Sequence, residues 1–370
     1  MKTTAYVIFF SAFFLIFLGF VMVFNTSSAE FLDKTMRATG SLFLRKQLIY
    51  SSIGLVLGVG IFSLGHQRIF RLAPLLYVGS VLSLIATFFP VIGHEYNGAK
   101  RWIGLFGFTQ QPSEFAKYIL PIYFAYKISK LPEYSLRAIM PIFLSLALPI
   151  FLILLEPDNG TTFIILLTLI VSCFLVKVPL LYWALPLSII ALLGSVAIYH
   201  MPHVPGRIQV YLHPELDLQG RGHQPHQAKI AAGSGGFFGK GLGESLQKFN
   251  YLPEAKSDYI AAIFAEEFGF LGVLCLICLY LLLTLSGFSI AFSCTMFPGF
   301  FIASITTFLI AFQAFLNLGI VSHLLPSKGT TLPFLSQGGT AMIVNMCAVA
   351  LLIEIAMSHQ QERKKASFRA

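Results

Sequence analysis

Ten separate stretches of almost uninterrupted apolar residues constrain this chain more than any other feature: 5–24, 48–64, 73–92, 112–126, 138–155, 162–176, 179–199, 259–283, 297–322 and 338–357. A helix rises about 1.5 Å per residue, so about 20 apolar residues cross the ~30 Å hydrocarbon core of a bilayer. Backbone groups in that layer find no water, so they must bond within a helix or a closed barrel. Only 11% of the residues are charged and 56% are hydrophobic, against roughly 25% charged in a soluble domain. A soluble enzyme and a single-anchored globular head are both excluded. The pattern predicts an all-α integral membrane protein, one polytopic unit over residues 1–370 built on ten transmembrane helices. The first run exceeds the roughly 7–15 apolar residues of a cleaved signal, which predicts a retained helix.

The formal net charge is +9, and its distribution gives orientation. Lys2, Arg68, Arg71, Lys127, Lys130, Arg137, Lys177 and the tail residues Arg363, Lys364, Lys365 and Arg369 fall on one side. Lys34, Arg37, Arg45, Lys46, Lys100, Arg101 and Lys328 fall on the other when the long loop is set aside. The positive-inside rule then places both termini in the cytoplasm, with residues 358–370 as a basic cytoplasmic tail. Residues 200–257 become a large extracytoplasmic loop between helices 7 and 8. The basic residues form no continuous stripe, so nucleic acid is excluded as a partner.

Cysteine carries no disulfide signal, and Cys275 and Cys278 sit in an apolar run despite their metal-like spacing. The glycine run from Gly233 to Gly243 meets neither the P-loop nor the dinucleotide spacing, which excludes a nucleotide site. His223 and His226 in the same loop are a weak candidate metal pair.

Four polar segments fall at membrane edges, where ionisable groups are costly unless paired or hydrated. In the first, Lys100-Arg101-Trp102 precedes Gln111-Pro112-Ser113-Glu114 and Lys117. Pro112 suits a first helical turn, with Glu114 near its positive end and Lys117 three residues on along the same face. This is either a helix cap with an ion pair or a basic pocket for an anionic headgroup. The second, Glu156-Pro157-Asp158-Asn159-Gly160, is either an ordinary tight turn or an oxygen-rich contact for a cation or sugar. The third, Tyr251 to Asp258, leads straight into an apolar run. Asp258 is either a helix N-cap or a partly buried carboxylate suited to general-base work. The fourth, Leu325 to Thr340, is irregular backbone tolerated only beside protein or a water-filled cavity. Glu266 and Glu267 point about 100° apart on a helix, so at least one is expected to pair with a base. Glu354, near a helix end, is expected to snorkel and has no assigned role.

In order and spacing, AKRWI, QPSEFAK, EPDNGTT, the stretch from GSGGFFGKGLG to YLPEAKSDY with AEEFG after it, and LPSKGTTLPFLSQGGT resemble the FtsW/RodA family. These are the SEDS proteins that polymerise bacterial peptidoglycan. The resemblance covers nearly the whole chain. The stretches GFVMVF, GLG leading to YLPEA, and PSKG are more similar to the division branch than to the elongation branch. Asn159 and Gln337 depart from the family, standing where Leu-like and Tyr residues are more usual, and Thr340 replaces a common Ser.

The resemblance implies a ten-helix glycosyltransferase in the bacterial cytoplasmic (inner) membrane, at the septum for the division branch. It implies Asp258 as the catalytic base and substrate contacts at Lys100, Arg101, Trp102, Gln111, Ser113, Glu114, Lys117, Asp158, Glu254, Lys328 and Ser336. It further implies Mg²⁺ or Mn²⁺ held by Glu114 and Asp158, and lipid II as substrate. The implied partners are a class B penicillin-binding transpeptidase, other divisome proteins and membrane lipids. In the implied inverting reaction, Asp258 takes the proton of a glucosamine 4-hydroxyl. The oxygen attacks a lipid-linked muramyl anomeric carbon and undecaprenyl diphosphate leaves. Lys100, Arg101 and Lys117 are expected to neutralise that leaving group. An elongation polymerase acting in cell shape, a lipid II flippase or transporter, and a scaffold that activates a transpeptidase remain the alternative readings.

Overall fold

A computed structural model describes residues 2–33, 40–96, 99–105, 108–199, 222–248, 252, 255–326 and 329–367. Twelve helices and three strands occupy them. The helices are α1 (Lys2–Asp33), α2 (Gly40–Leu64), α3 (His66–Arg71), α4 (Ala73–Ala86), α5 (Pro112–Ile128), α6 (Leu136–Leu155), α7 (Asn159–Leu175), α8 (Leu180–Tyr199), α9 (His223–Ser234), α10 (Ile260–Ser293), α11 (Phe297–Val321) and α12 (Gly339–Ser367). The strands are β1 (Gly93–Tyr96), β2 (Ala99–Leu105) and β3 (Phe108–Gln110).

Each of the ten apolar stretches contains a helix. Six of them, in α1, α2, α6, α10, α11 and α12, are long and apolar enough by length and composition to cross a membrane, and α4, α7 and α8 hold shorter apolar helices. The chain is a multi-pass membrane protein. α12 packs along α2, α11 along α10, and α1 bridges α2, α10 and α12, while α5 lies between α4 and α7. The ends are set locally. Ser135 accepts from the Ala138 N–H to start α6, Asp158 accepts from the Thr161 N–H to start α7, and Pro112 opens α5.

Four features correct or refine the sequence reading. Residues 93–110 are not loop, and the protein is not wholly helical: β1, β2 and β3 form an antiparallel sheet in that order. β1 and β3 have only four and three residues, and the seven of β2, AKRWIGL, do not alternate apolar with polar. The predicted third run continues to residue 92, yet α4 stops at Ala86, and the Gly93 N–H returns to the Phe89 carbonyl. Inside the long loop, residues 223–234 are helical, whereas 200–221 lie outside the described residues. α12 continues through the predicted tail to Ser367.

The glycine run has a structural purpose. α10 breaks at Gly269, with φ 65° and ψ −164°, and the loop after α9 is laid against the break. Lys240 and Gly241 N–H groups donate to the Glu266 and Glu267 carbonyls, and Phe270 and Leu271 donate back to Gly236 and Phe237. Backbone groups freed by a broken membrane helix are satisfied in this way. The approach leaves no room for side chains. A Cβ on Gly235 would lie 2.1 Å from the Ala265 oxygen, and one on Gly239 would lie 2.1 Å from the Glu267 oxygen.

Candidate active site

Asp258 sits in the turn immediately before α10 and is half-buried. Its backbone carbonyl accepts from Asn317 Nδ2 of α11 at 2.8 Å, and the same amide nitrogen donates to the Thr330 carbonyl at 2.6 Å. One side chain thus fixes the third and fourth polar segments together. The Gln337 N–H donates to the Lys256 carbonyl at 2.9 Å and closes the junction a second time. Oδ2 of Asp258 would be 3.1 Å from a Cβ on Gly329, so any side chain there would press on the carboxylate. A Cβ on Gly160 would be 3.7 Å from the Gly329 oxygen and 3.8 Å from Asp158 Oδ1. The turn at 158–160 therefore completes the grouping around Asp258.

Asp158 is the hub of a second cluster. Its Oδ1 accepts from the Thr161 N–H at 3.1 Å. Its Oδ2 accepts from Thr161 Oγ1 (2.8 Å), Gln111 Nε2 (2.9 Å) and Ser113 Oγ (3.2 Å). Next to it, buried Lys117 donates to Glu114 at 2.9 Å and to Gln313 Oε1 at 3.0 Å. Arg101 reaches back from β2 to the Glu156 and Pro157 carbonyls. Glu156 is fully buried. Burial pushes its carboxyl up to about 8, against the Thr87 hydroxyl bond that lowers it, while nearby Asp158 raises it and Arg101 lowers it.

The predicted contacts therefore divide. Gln111, Ser113, Glu114, Lys117 and Asp158 come together, Trp102 lies at the adjoining cavity wall, and Lys100 is exposed on β2 opposite Glu95. Ser336 Oγ accepts from the Leu332 N–H, a bond internal to its own segment. Glu254 and Lys328 lie outside the described residues. The expected cation pair does not fit Glu114 and Asp158. Asp158 is saturated by protein donors and Glu114 is held by an ammonium, whereas a divalent ion needs several free oxygens. Among the described residues no group of three His, Cys, Asp or Glu is placed to hold a metal, and His223 and His226 are included in that statement.

The adjacent glutamates were expected to supply at least one ion pair, and they do, whereas Glu354 departs from its expectation. Both adjacent glutamates are paired: Glu266 with Lys240 at 2.6 Å and Glu267 with Lys248 at 3.1 Å. Glu354 does not snorkel; it is buried and accepts from the backbone N–H of His66 while its carboxylate meets His66 Nδ1 at 2.9 Å. Asn317 and Gln313 went unnoticed in the sequence, although amides inside the apolar run 297–322 are themselves a signal of an interior polar contact.

The chain matches the FtsW/RodA/SpoVE model, described as cell cycle protein, over residues 5–361. It is 37% identical over 347 residues to the probable peptidoglycan glycosyltransferase FtsW of Trichlorobacter lovleyi, covering 91% of this chain and 89% of that one. The protein of the same name from Saccharophagus degradans is 36% identical, over 95% of this chain and 92% of its own. Among solved structures, a chain from a peptidoglycan synthase complex that coordinates polymerization and crosslinking superimposes with a TM-score of 0.75. It is 27% identical and covers 96% of this chain and 98% of that one. The rod shape determining protein RodA of Thermus thermophilus gives 0.68 at 26% identity, covering 95% and 96%. The chain belongs to the FtsW/RodA/SpoVE family of cell cycle proteins.

Proposed function

We propose that this protein is the division-branch peptidoglycan glycosyltransferase of its cell, polymerising lipid II into glycan strands. The observation that carries the reading is Asp258, a half-buried carboxylate gripped through its own backbone by Asn317 and closely approached by Gly329. Asp258 accepts the proton of the incoming glucosamine 4-hydroxyl, the freed oxygen attacks the anomeric carbon from the face opposite the diphosphate, and undecaprenyl diphosphate departs. A good leaving group makes a second, proton-donating carboxylate unnecessary. Arg101 and Lys117 already serve protein acceptors, so exposed Lys100 is the cation that meets the diphosphate. The roles of Trp102, Gln111, Ser113, Glu114, Asp158 and Ser336 are to shape and brace that site.

All ten long helices cross the bilayer in this proposal, with both termini cytoplasmic. The sheet, the 156–161 turn, the loop between α8 and α10 and the 323–338 segment lie on the outer side, in the inner membrane at the septum. The relatives described above are named for FtsW, and one structural neighbour belongs to a polymerising and crosslinking complex. Those findings support the division branch and a class B transpeptidase as partner.

Purified chain with labelled lipid II tests the reaction. Asp258→Asn, nearly isosteric and not basic, should abolish strand formation while insertion and folding survive; retained turnover rejects Asp258 as the base. Polymerisation in detergent needs no second compartment, so it also separates this reading from a flippase.

A further inference from the structure

A cavity of about 230 Å³ opens beside the site, and Asp258 is not in its wall. The 329–341 segment gives Gly329 to Asp258, and Thr331, Gln337 and Thr340 to the cavity. Its other walls come from α2 (Gln47 and Tyr50) and from Trp102 of β2. The frame is rigid. Tyr50 OH donates to the Thr109 carbonyl at 2.9 Å and accepts from the Thr109 N–H at 3.0 Å, which locks α2 to β3. The Gln111 N–H donates to Thr340 Oγ1 at 2.9 Å, which locks α5 to α12.

Two residues of the wall each carry a side-chain atom that breaks the rule that buried polar groups are bonded. Gln47, only 1% exposed, has an Nε2 donor with no partner, and Gln337 has an Oε1 acceptor with no partner. With both side chains turned inward, an orphan donor and an orphan acceptor from one small cavity's wall are what a secondary amide, C=O and N–H together, would complete. Cavities of about 150 Å³ already admit a benzene ring, so this one has room for a six-membered ring and a small substituent. Aromatic side chains beside the amides are suited to the apolar face of a sugar.

We propose that this cavity is a subsite for one acetamido-hexose ring of the substrate. Gln47 turns to donate to the acetyl carbonyl, and Gln337 accepts from the acetamido N–H. The proposal rests on the peptidoglycan reading above and adds which part of the substrate is read here and by which residues. Peptide bonds carry the same amide, but the ring-sized space and the aromatic walls favour the sugar.

The chain has two tryptophans, so Trp183→Phe leaves Trp102 as the sole indole reporter in the full-length protein. N-acetylglucosamine should shift its emission saturably. Glucosamine, which lacks the acetyl group, should bind at least tenfold more weakly, and N-acetyl-alanine methylamide, an amide without a ring, should give no shift. Gln47→Met and Gln337→Met should each weaken N-acetylglucosamine about tenfold. In the chain with both tryptophans the same variants should raise KM for lipid II about tenfold, with a smaller change in kcat. No saturable shift, equal response to the two sugars, response to the alanine derivative, or unchanged affinity and KM in both variants overturns the subsite. Asp258→Asn in the reporter background keeps the two proposals apart. It should lose polymerisation and keep the Trp102 response. Turnover retained there with the response intact rejects the catalytic base alone, and lost turnover without any response rejects the subsite alone.

Discussion

A hydrogen atom where other residues carry a Cβ decides how closely the 329–340 segment approaches Asp258. Alanine at 329 would put a methyl 3.1 Å from Oδ2, so the carboxylate must give by a few tenths of an ångström. Small misplacements of a reacting group are costly, up to about a hundredfold for 1 Å. Gly329→Ala should therefore lower kcat about tenfold with little change in thermal stability, and a kcat equal to that of the unaltered protein counts against the Asp258 geometry. Glu156 tests a different quantity. Its carboxyl is pushed up to about 8, so between the ordinary carboxylate value and about 8 the folded protein holds a proton that the unfolded chain has lost. Stability must fall as pH rises through that window. The melting temperature should drop from pH 5 to pH 8, and Glu156→Gln, which cannot ionise, should flatten that dependence; parallel pH profiles would refute the assignment.

At the scale of elements, the break in α10 and the glycine loop form one unit, bonded backbone to backbone and clamped by Glu266–Lys240 and Glu267–Lys248. Glu267 also accepts from Asn25 Nδ2, which ties α1 to the same clamp. Gly239 combines φ 83° with a Cβ position 2.1 Å from the Glu267 carbonyl, whereas Gly236, at φ 58°, faces open space. Gly239→Ala meets both backbone strain and overlap, at a cost of roughly 3–5 kcal/mol. Gly236→Ala meets the left-handed penalty alone, about 1–2 kcal/mol. Thermal unfolding in detergent should rank Gly239→Ala well below Gly236→Ala, and equal melting would show that the loop is not packed as described. In the sequence this run suggested phosphate binding only to fail the spacing for it, and no other reason for its glycines was in view. The reason for its glycines is a helix break some thirty residues later, which no local pattern reveals.

For the whole molecule, long apolar stretches made the helices legible, because a segment that must bury its backbone in hydrocarbon has almost no other way to fold. Spacing along one helix was equally readable, and Lys117 meets Glu114 three residues away as the sequence implied. Contacts between distant segments were not. Nothing near Glu354 announces His66, and nothing near Asp258 announces Asn317. The 93–110 sheet stayed hidden because two of its strands are short and the third, AKRWIGL, does not alternate. Motif order pointed to the right family, while the local chemistry of Asp158 and Glu114 argued against a cation there.

The double grip of Asn317 has a consequence for timing. Since one amide nitrogen holds both the turn that bears Asp258, the proposed base, and the irregular segment at Thr330, the two form a single moving part. Under the proposed mechanism, a motion of that part wide enough to let a growing polymer slide forward would also carry Asp258 off its mark, so that bond making and polymer advance would take turns rather than overlap.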